Sequence, residues 1–278
     1  MRGMVRLYKY FNLLSLDVAV GAVSCSLFVS KILGVRIPWP VTLILGLTVW
    51  LIYTFDHLVD ARGLKHKAST QRHRFHQKYF KVLTIACAGA LIVNAYLVFF
   101  LPSETVLFGI AISCLVMVYF LLLHFLKLKS VYHKELMIAV LYAAGIMVGP
   151  VSLYQGQLDL RIIIIFIQFV MIALSNLIVF SLYEKRSDQI DSFPSIVQYL
   201  NEKNVRIGLK VFILFQLALA VFISQIPTLK SFEYTFMFML IILGALPFFR
   251  SSFEKNEKYR WVGDAIFLLP LITLLIGL

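Results

Sequence analysis

Nine apolar runs of about 18 or more residues constrain this chain more than any other feature of its sequence. Each run is long enough to cross the hydrocarbon core of a bilayer as an α-helix. The runs lie near 11–33, 40–59, 80–101, 105–126, 135–154, 161–183, 206–225, 232–249 and 261–278. The 278-residue chain is 60% hydrophobic and 14% charged, whereas soluble proteins are about a quarter charged. We therefore predict an all-α polytopic membrane protein with nine transmembrane helices.

Basic residues are concentrated in alternate loops, and this alternation predicts the orientation of the helices. They are frequent in the N-terminal segment and in the second, fourth, sixth and eighth loops, and sparse in the other loops. By the positive-inside rule, the N-terminus and these loops are cytoplasmic and the C-terminus is outside. Orientation and anionic lipid headgroups account for the net charge of +12, so we predict no nucleic-acid partner. The predicted location is the plasma (inner) membrane of the cell, as an integral multi-pass protein.

Two carboxylates stand near the end of the second run, in the stretch LIYTFDHLVDARG. Asp56 and Asp60 are four residues apart, so a helix presents both on one face, where like charges repel unless a cation intervenes. Magnesium suits such a place when phosphate is present, since it takes one or two carboxylates, waters and phosphate oxygens. The following loop, 60–80, supplies basic side chains that could bind phosphate oxygens. These are Lys65, Lys67, Arg72 and Arg74.

A second acidic group ends the sixth run, in NLIVFSLYEKRSDQIDSF. Glu184 and Asp188 repeat the spacing of four, and Asp191 lies three residues further on. Lys185 stands beside them, and a long loop, 184–205, begins here. Acidic helix ends often pair with Arg or Lys or are simply solvated. Two such pairs on one side of the membrane, each opening a long basic loop, favour a functional role instead.

Other polar residues within or near the spans have more than one interpretation. Asp17 in the first span must find a partner or face a cavity, so it is either structural or part of a site. Asn176 in the sixth span likewise needs a partner inside the bundle. Four histidines raise the alternative of zinc, but their irregular spacing leads us to favour magnesium. They are His57, His66, His73 and His76.

Nine spans with acidic groups at the ends of the second and sixth resemble the UbiA superfamily of intramembrane prenyltransferases over essentially the whole chain. IYTFDHLVD resembles the first motif of that family, Asn-x-x-x-Asp-x-x-x-Asp, and EKRSD resembles the second, Asp-x-x-x-Asp. RHRFH resembles the Arg-containing loop after the first motif, and HKELMIAVLYAAG (133–145) resembles the basic entry to span five. The resemblance implies a single transmembrane domain over 1–278, with its helices around a central cavity.

The resemblance also implies that both carboxylate clusters bind Mg²⁺ ions that hold a prenyl diphosphate, with Asp56, Asp60 and Asp188 as catalytic carboxylates. The implied metal ligands are Asp56, Asp60, Glu184, Asp188 and Asp191. The implied diphosphate-binding residues are Lys67, Arg72, Arg74, Lys134 and Lys185. The polar groups that could face the cavity are Asp17 and Asn176. The partners implied are membrane lipids and a lipophilic, typically aromatic acceptor, which the allylic carbocation alkylates while water is excluded.

The chain departs from the family pattern at two positions. Ile52 stands where the first motif has Asn, and Glu184 replaces Asp in the second, so Asp191 is an alternative partner for Asp188. These departures leave a terpene cyclase as an alternative in the same fold, in which the cation is captured within its own chain. From a different class comes a non-enzymatic isoprenoid-lipid-binding protein or a transporter. The paired broken helices typical of transporters form no clear pattern here.

Overall fold

The structure is a computed structural model that describes residues 2–124, 134–157 and 159–276. Within these ranges the chain is helical and contains no strand, as predicted. Three short 3₁₀ segments (Val98–Phe100, Lys255–Glu257 and Ile266–Leu268) interrupt or extend the α-helices. The α-helices are α1 (Arg2–Leu13), α2 (Leu16–Leu33), α3 (Trp39–Gly63), α4 (Gln71–Lys78), α5 (Phe80–Leu97), α6 (Ser103–His124), α7 (Lys134–Ser152), α8 (Leu160–Asp191), α9 (Ile196–Tyr199), α10 (Glu202–Ile223), α11 (Lys230–Phe248), α12 (Arg250–Glu254), α13 (Lys258–Ala265) and α14 (Leu269–Ile276).

Among the described residues, nine helical segments are long and apolar enough to cross a membrane. Eight of them contain α2, α3, α5, α6, α7, α8, α10 and α11, and the ninth is the broken segment Arg250–Ile276. The prediction of an all-helical polytopic membrane fold is therefore confirmed. The orientation of the termini stays a prediction.

The first predicted span, 11–33, is divided into two helices. α1 ends at Leu13 and α2 begins at Leu16, with Ser15 between them in the left-handed region at a φ of 55°. The side-chain amide of Asn12 donates a hydrogen bond to Asp17 Oδ2 at 2.5 Å, which ties the end of α1 to the first turn of α2. The segment that is able to cross the membrane therefore begins at Leu16.

α3 and α8 continue beyond the ends predicted for the second and sixth spans. α3 runs to Gly63 and the 32-residue α8 runs to Asp191. At 1.5 Å per residue α8 is about 48 Å long, which exceeds the ~30 Å hydrocarbon core. The acidic residues expected at the start of long loops therefore lie on helices, which fixes the direction of their side chains. The connections are shorter than the predicted loops 60–80 and 184–205, and they contain α4 and α9.

The last predicted span, 261–278, is a series of short helices that begins earlier in the chain. Asn256 and Glu257 have φ angles of 60° and 56°, which break the helical path before α13. The 3₁₀ segment Ile266–Leu268 then packs closely on α2, where a Cβ at Gly21 would lie 2.8 Å from Phe267 Cβ. A glycine at position 21 is therefore needed for this close approach. Residues 277–278, like 125–126 of the predicted fourth span, lie outside the described ranges.

The tightest packing is found around α2, α8 and α11. Phe28, Phe169 and Phe236 are fully buried and meet edge to face, with ring centroids 5.1–5.7 Å apart. α5 and α6, by contrast, leave most of their apolar side chains exposed, as helices that face lipid do. Because α8 is both central and long, it carries polar side chains from the packed interior to one end of the bundle, where the candidate site lies.

Candidate active site

A cavity of about 210 Å³ lies where α3, α7, α8 and α13 meet. Its lining combines charged groups with apolar and aromatic walls that include Ile52, Tyr119, Phe120 and Phe180. Six carboxylates face three Lys or Arg side chains, so the lining carries a surplus of negative charge. Such a surplus in a partly buried place must be offset by cations or by protonation. The charged lining residues are Asp56, Asp60, Arg72, Lys134, Glu135, Glu184, Asp188, Arg260 and Asp264.

The structure brings the first acidic pair to this cavity. Asp56 and Asp60 lie one turn apart on α3, both half-buried, and both line the cavity. Asp60 Oδ2 lies 3.9 Å from His73 Nε2 of α4. Ile52, one turn earlier, lines the same wall, so the position that departs from the family motif presents an apolar group to the cavity. Lys134, the first residue of α7, enters the cavity from the opposite helix, where the sequence placed it.

The three residues of the second acidic group, Glu184, Asp188 and Asp191, have different surroundings. Asp188 lines the cavity. Glu184 also lines it, but its carboxylate is bound by Arg260, with Nε–Oε1 and Nη2–Oε2 both at 2.5 Å, and it accepts a 2.9 Å hydrogen bond from the Tyr259 hydroxyl. The extra methylene of Glu184, compared with the Asp of the family motif, gives the reach for this pair.

Asp191 does not line the cavity, although the sequence suggested it as a metal ligand. Its carboxylate accepts hydrogen bonds from Ser69 N at 2.9 Å and Ser69 Oγ at 2.8 Å, and His66 Nε2 lies 3.1 Å away. These contacts join the connection between α3 and α4 to the last turn of α8. Asp191 therefore fixes the wall of the site through contacts that involve both of its carboxylate oxygens.

The predicted diphosphate-binding residues are also divided. Lys134 and Arg72 line the cavity, but Arg72 is paired with Asp264 at 2.8 Å. Three others lie away from the lining. Arg74 donates to the carbonyl groups of Ala68 and Ser69, Lys67 is exposed, and Lys185 pairs with Glu202 at 3.1 Å.

Asp17 belongs to a buried network behind the cavity wall. Asn12 Nδ2 donates both to Asp17 Oδ2 and, at 3.0 Å, to Asp264 Oδ2, and Arg72 donates to the same oxygen of Asp264. The partner of Asp264 is thus Arg72, which α4 brings back against the bundle. Asp17 is not among the lining residues, so its partners satisfy it within the bundle, as the structural interpretation of this residue required.

Asn176 lies deeper in the same cavity, among apolar side chains. Its Oδ1 is buried and accepts no hydrogen bond from the described part of the chain. A Cβ at position 263 would lie 2.5 Å from this oxygen, so Gly263 lets α13 approach α8 closely. Asn176, one of the two polar groups that could face the cavity, lies in its lining, where its amide adds polarity to an otherwise apolar end.

Three histidines pack together beside Asp60. The ring centroids of His73 and His76 lie 5.4 Å and 5.1 Å from that of His57, and all three side chains are buried. Burial, reinforced by the positive charge of Arg260, lowers the pKa of His73 to about 3, and burial likewise lowers the pKa of His76 to about 4. Within residues 2–124, 134–157 and 159–276, no group of three His, Cys, Asp or Glu side chains is arranged to hold a metal ion.

The sequence missed Arg260 and Glu135. Arg260 is 8% exposed and lines the cavity, and Glu135 accepts hydrogen bonds from Ser181 Oγ and from the backbone N–H of Ile196. Glu135 thereby fixes the start of α9 beside the site. The signal for Arg260 was present, since it enters the last apolar run four residues before Asp264. Charges within a span deserve the same weight wherever they occur.

No family model matches the chain, and no curated protein sequence matches it. A comparison of structures does find a likeness. A solved structure of a digeranylgeranylglyceryl phosphate synthase in membranes is similar over 98% of this chain and 98% of its own, with a TM-score of 0.55 and 13% sequence identity. The chain therefore shares the fold of this membrane-embedded synthase, although few of its residues are identical.

Proposed function

We propose that the protein is an intramembrane prenyltransferase, which transfers the isoprenyl group of an allylic prenyl diphosphate to a lipophilic aromatic acceptor. The observation that carries this proposal is the convergence of Asp56, Asp60, Lys134 and Asp188, from three helices, on one cavity with aromatic walls. The fold shared with a prenyl-transferring synthase supports this class of reaction.

The residues at the cavity suit Mg²⁺ as the cofactor. The charges cancel within each of the pairs Arg72–Asp264 and Arg260–Glu184. Among the other charged lining residues, the carboxylates outnumber the single cation, Lys134. Mg²⁺ is usually bound by one or two carboxylates together with waters and phosphate oxygens, so it needs no cluster of three protein ligands. Asp56, Asp60 and Asp188 would hold it. When bound, it would offset the charge that develops on the leaving diphosphate.

Lys134 and Arg260 are the cations we assign to the diphosphate. Both line the cavity, and Arg260 is fixed there by Glu184 and by its guanidinium carbon 5.5 Å from the centroid of the Phe180 ring. Fixed cations cost little reorganisation when charge develops on the leaving group. In this proposal Glu184 positions Arg260 and is not a metal ligand, while Lys67, Arg74 and Lys185 take no part in substrate binding.

The aromatic and apolar walls suit the other half of the reaction. The bond between the allylic carbon and the diphosphate oxygen breaks, and its electron pair leaves with the diphosphate. A ring carbon of the acceptor then bonds to the allylic cation, and the ring loses a proton. The faces of Tyr119, Phe120 and Phe180 carry the negative end of the ring quadrupole, which stabilises a nearby cation. The apolar wall keeps out water that would otherwise capture it.

The test is turnover by the purified protein in detergent with Mg²⁺ and radiolabelled geranyl, farnesyl or geranylgeranyl diphosphate, with and without a panel of phenolic and quinol acceptors. We expect a labelled product that depends on the acceptor. Diphosphate release with a hydrocarbon product in the absence of any acceptor would instead identify a cyclase. Saturable, Mg²⁺-dependent binding without any turnover would identify a non-enzymatic binding protein.

A further inference from the structure

A second charged cluster lies at the same end of the bundle as the candidate site, on a different face of α8. We call it the Glu202 cluster; it consists of Lys185, Glu202, Arg206 and Arg250. The Glu202 carboxylate lies 3.1 Å from Lys185 Nζ, 2.8 Å from Arg206 Nη2 and 3.0 Å from Arg250 Nη1. None of the four residues lines the cavity. The cluster joins the last turns of α8 to the starts of α10 and α12.

One carboxylate cannot balance three cations, so the Glu202 cluster keeps a surplus of two positive charges. Each of its four side chains is about one-third exposed, with relative side-chain exposures of 28–34%. The three cations use four N–H donors within the described protein, three on Glu202 and one on the carbonyl of Leu182. Lys has three donors and Arg five, so most of these donors remain available to a ligand. Arg250 is also held over the Tyr183 ring, 5.6 Å from its centroid.

The surface beside the cluster is apolar on the side that faces away from the bundle. Ile207, Val211 and Leu214 form one row at helical spacing along α10 that begins one residue after Arg206, and each is more than half exposed. Phe248 and Phe249, at the end of α11, are also more than half exposed, next to Arg250 in the chain. Cationic groups with free donors are therefore adjacent in the chain to exposed side chains suited to contact acyl chains.

We propose that the Glu202 cluster binds the headgroup phosphate of an anionic phospholipid, whose acyl chains lie against α10 and α11. Arg binds phosphate oxygens through paired N–H donors, and the surplus positive charge matches an anionic headgroup. A soluble phosphate would use the same donors but would leave the exposed Ile, Val, Leu and Phe side chains without a role. This gives Lys185, which the sequence suggested for the substrate, a partner outside the active site, and the proposal does not depend on the reaction proposed above.

The test is thermal unfolding of the detergent-solubilised protein, titrated with phosphatidylglycerol or with phosphatidylcholine of the same acyl chains. We expect phosphatidylglycerol to raise the Tm more than phosphatidylcholine at equal mole fraction. Arg206→Gln should raise about fivefold the phosphatidylglycerol mole fraction that gives half of the Tm increment, because each basic side chain near an anionic surface contributes ~1 kcal/mol to binding. Lys185→Gln should act in the same direction. Arg161→Gln is the matched control, since it removes an Arg that also pairs with a carboxylate but at the other end of α8.

Glu202→Gln separates lipid binding from a purely internal role. It removes the shared carboxylate and raises the surplus charge, so we expect a lower Tm without lipid but an undiminished increment from phosphatidylglycerol. If every variant lowers the Tm equally in both lipids, the cluster only links helices within the protein, and the proposal is overturned. Inorganic phosphate added at the same concentration should have little effect. If it reproduces the full increment, the lipid assignment is wrong.

Discussion

The ends of α3 and α8 both carry carboxylates four residues apart, but the two ends have different surroundings. On α3, Asp56 and Asp60 both line the cavity. On α8, Asp188 lines it as well, while Glu184 is bound by Arg260 of α13. The spacing of a pair decides which helix face it occupies, whereas a partner from a distant helix decides whether its charge remains available for a ligand.

The sharpest way to test this comparison is to remove one carboxylate from each setting. Asp60→Asn and Asp188→Asn should each reduce kcat/KM by about 10³-fold, the effect of losing one preorganised electrostatic group. Asp191→Asn, on the same helix as Asp188 but with its carboxylate on Ser69, should keep most of the activity. The measurement is product formation from labelled prenyl diphosphate at varied Mg²⁺ concentration. Equal losses in Asp188→Asn and Asp191→Asn would break the distinction drawn within α8.

The free energy of unfolding should respond in the opposite order, with a larger loss for Glu184 than for Asp60. Glu184→Gln leaves the buried Arg260 without its counter-charge, and breaking one side of such a pair costs about 3 kcal/mol in the free energy of unfolding. The double variant Glu184→Gln/Arg260→Gln should recover part of that loss, whereas Asp60→Asn should cost little. Denaturant unfolding of the unaltered protein, Glu184→Gln, Arg260→Gln and the double variant measures the coupling in a double-mutant cycle. A coupling near zero would mean that Glu184 is as available to a ligand as Asp60.

The free energy of unfolding should also depend on pH, because the buried His76 packs against His57 of α3. Burial lowers the pKa of His76 to about 4 from its ordinary value of 6.5. Between these values the folded protein binds fewer protons than the unfolded chain, so the free energy of unfolding falls as pH falls through that window. From pH 7.5 to pH 5 the loss is about 2 kcal/mol. His76→Gln should flatten this pH dependence of the Tm, and a Tm that falls with pH as steeply as in the unaltered protein would contradict the role of His76.

The smallest expected effect concerns the hydrogen bonds between Asp191, at the end of α8, and Ser69, in the connection that follows α3. Asp191→Asn weakens the hydrogen bonds to Ser69, each worth about 1 kcal/mol, and so loosens the connection between α3 and α4 without altering the cavity lining. Hydrogen exchange at the Ser69 amide should become faster, while exchange within α8 stays unchanged. An unchanged rate at Ser69 would remove Asp191 from its assigned role.

The sequence alone predicted most of the fold, because the length of an apolar run nearly determines whether it spans a bilayer. It also predicted that one region would contain Asp56, Asp60, Asp188, Lys134 and Asn176. That prediction was possible because helical spacing and the motifs of the family can both be read from short stretches of sequence. Lys67, Arg74 and Lys185, which were chosen for their nearness in the chain to acidic residues, lie outside the cavity lining. A side chain one residue away points to another face of its helix, as Lys185 does beside Glu184.

The remaining errors share a physical cause, which is pairing over long sequence distances. Arg260 and Asp264 lie 76 and 192 residues from Glu184 and Arg72, their respective partners. No local pattern encodes such pairs. The break at Ser15 is a separate, local case, because an apolar run shows its length but not the point where a buried Asn12–Asp17 contact turns the chain.

The network of Asn12, Asp17, Arg72 and Asp264 has a consequence for biosynthesis. The contact between Asn12 and Asp264 spans 252 residues, so it cannot form until the ninth membrane-crossing segment has left the ribosome. Until then Asp17 and Arg72 must be accommodated in or near the membrane without Asp264. The wall of the cavity is thus completed by a residue that is translated after the eighth span, and a nascent chain that stops after the eighth span carries every predicted acidic motif yet has no finished site.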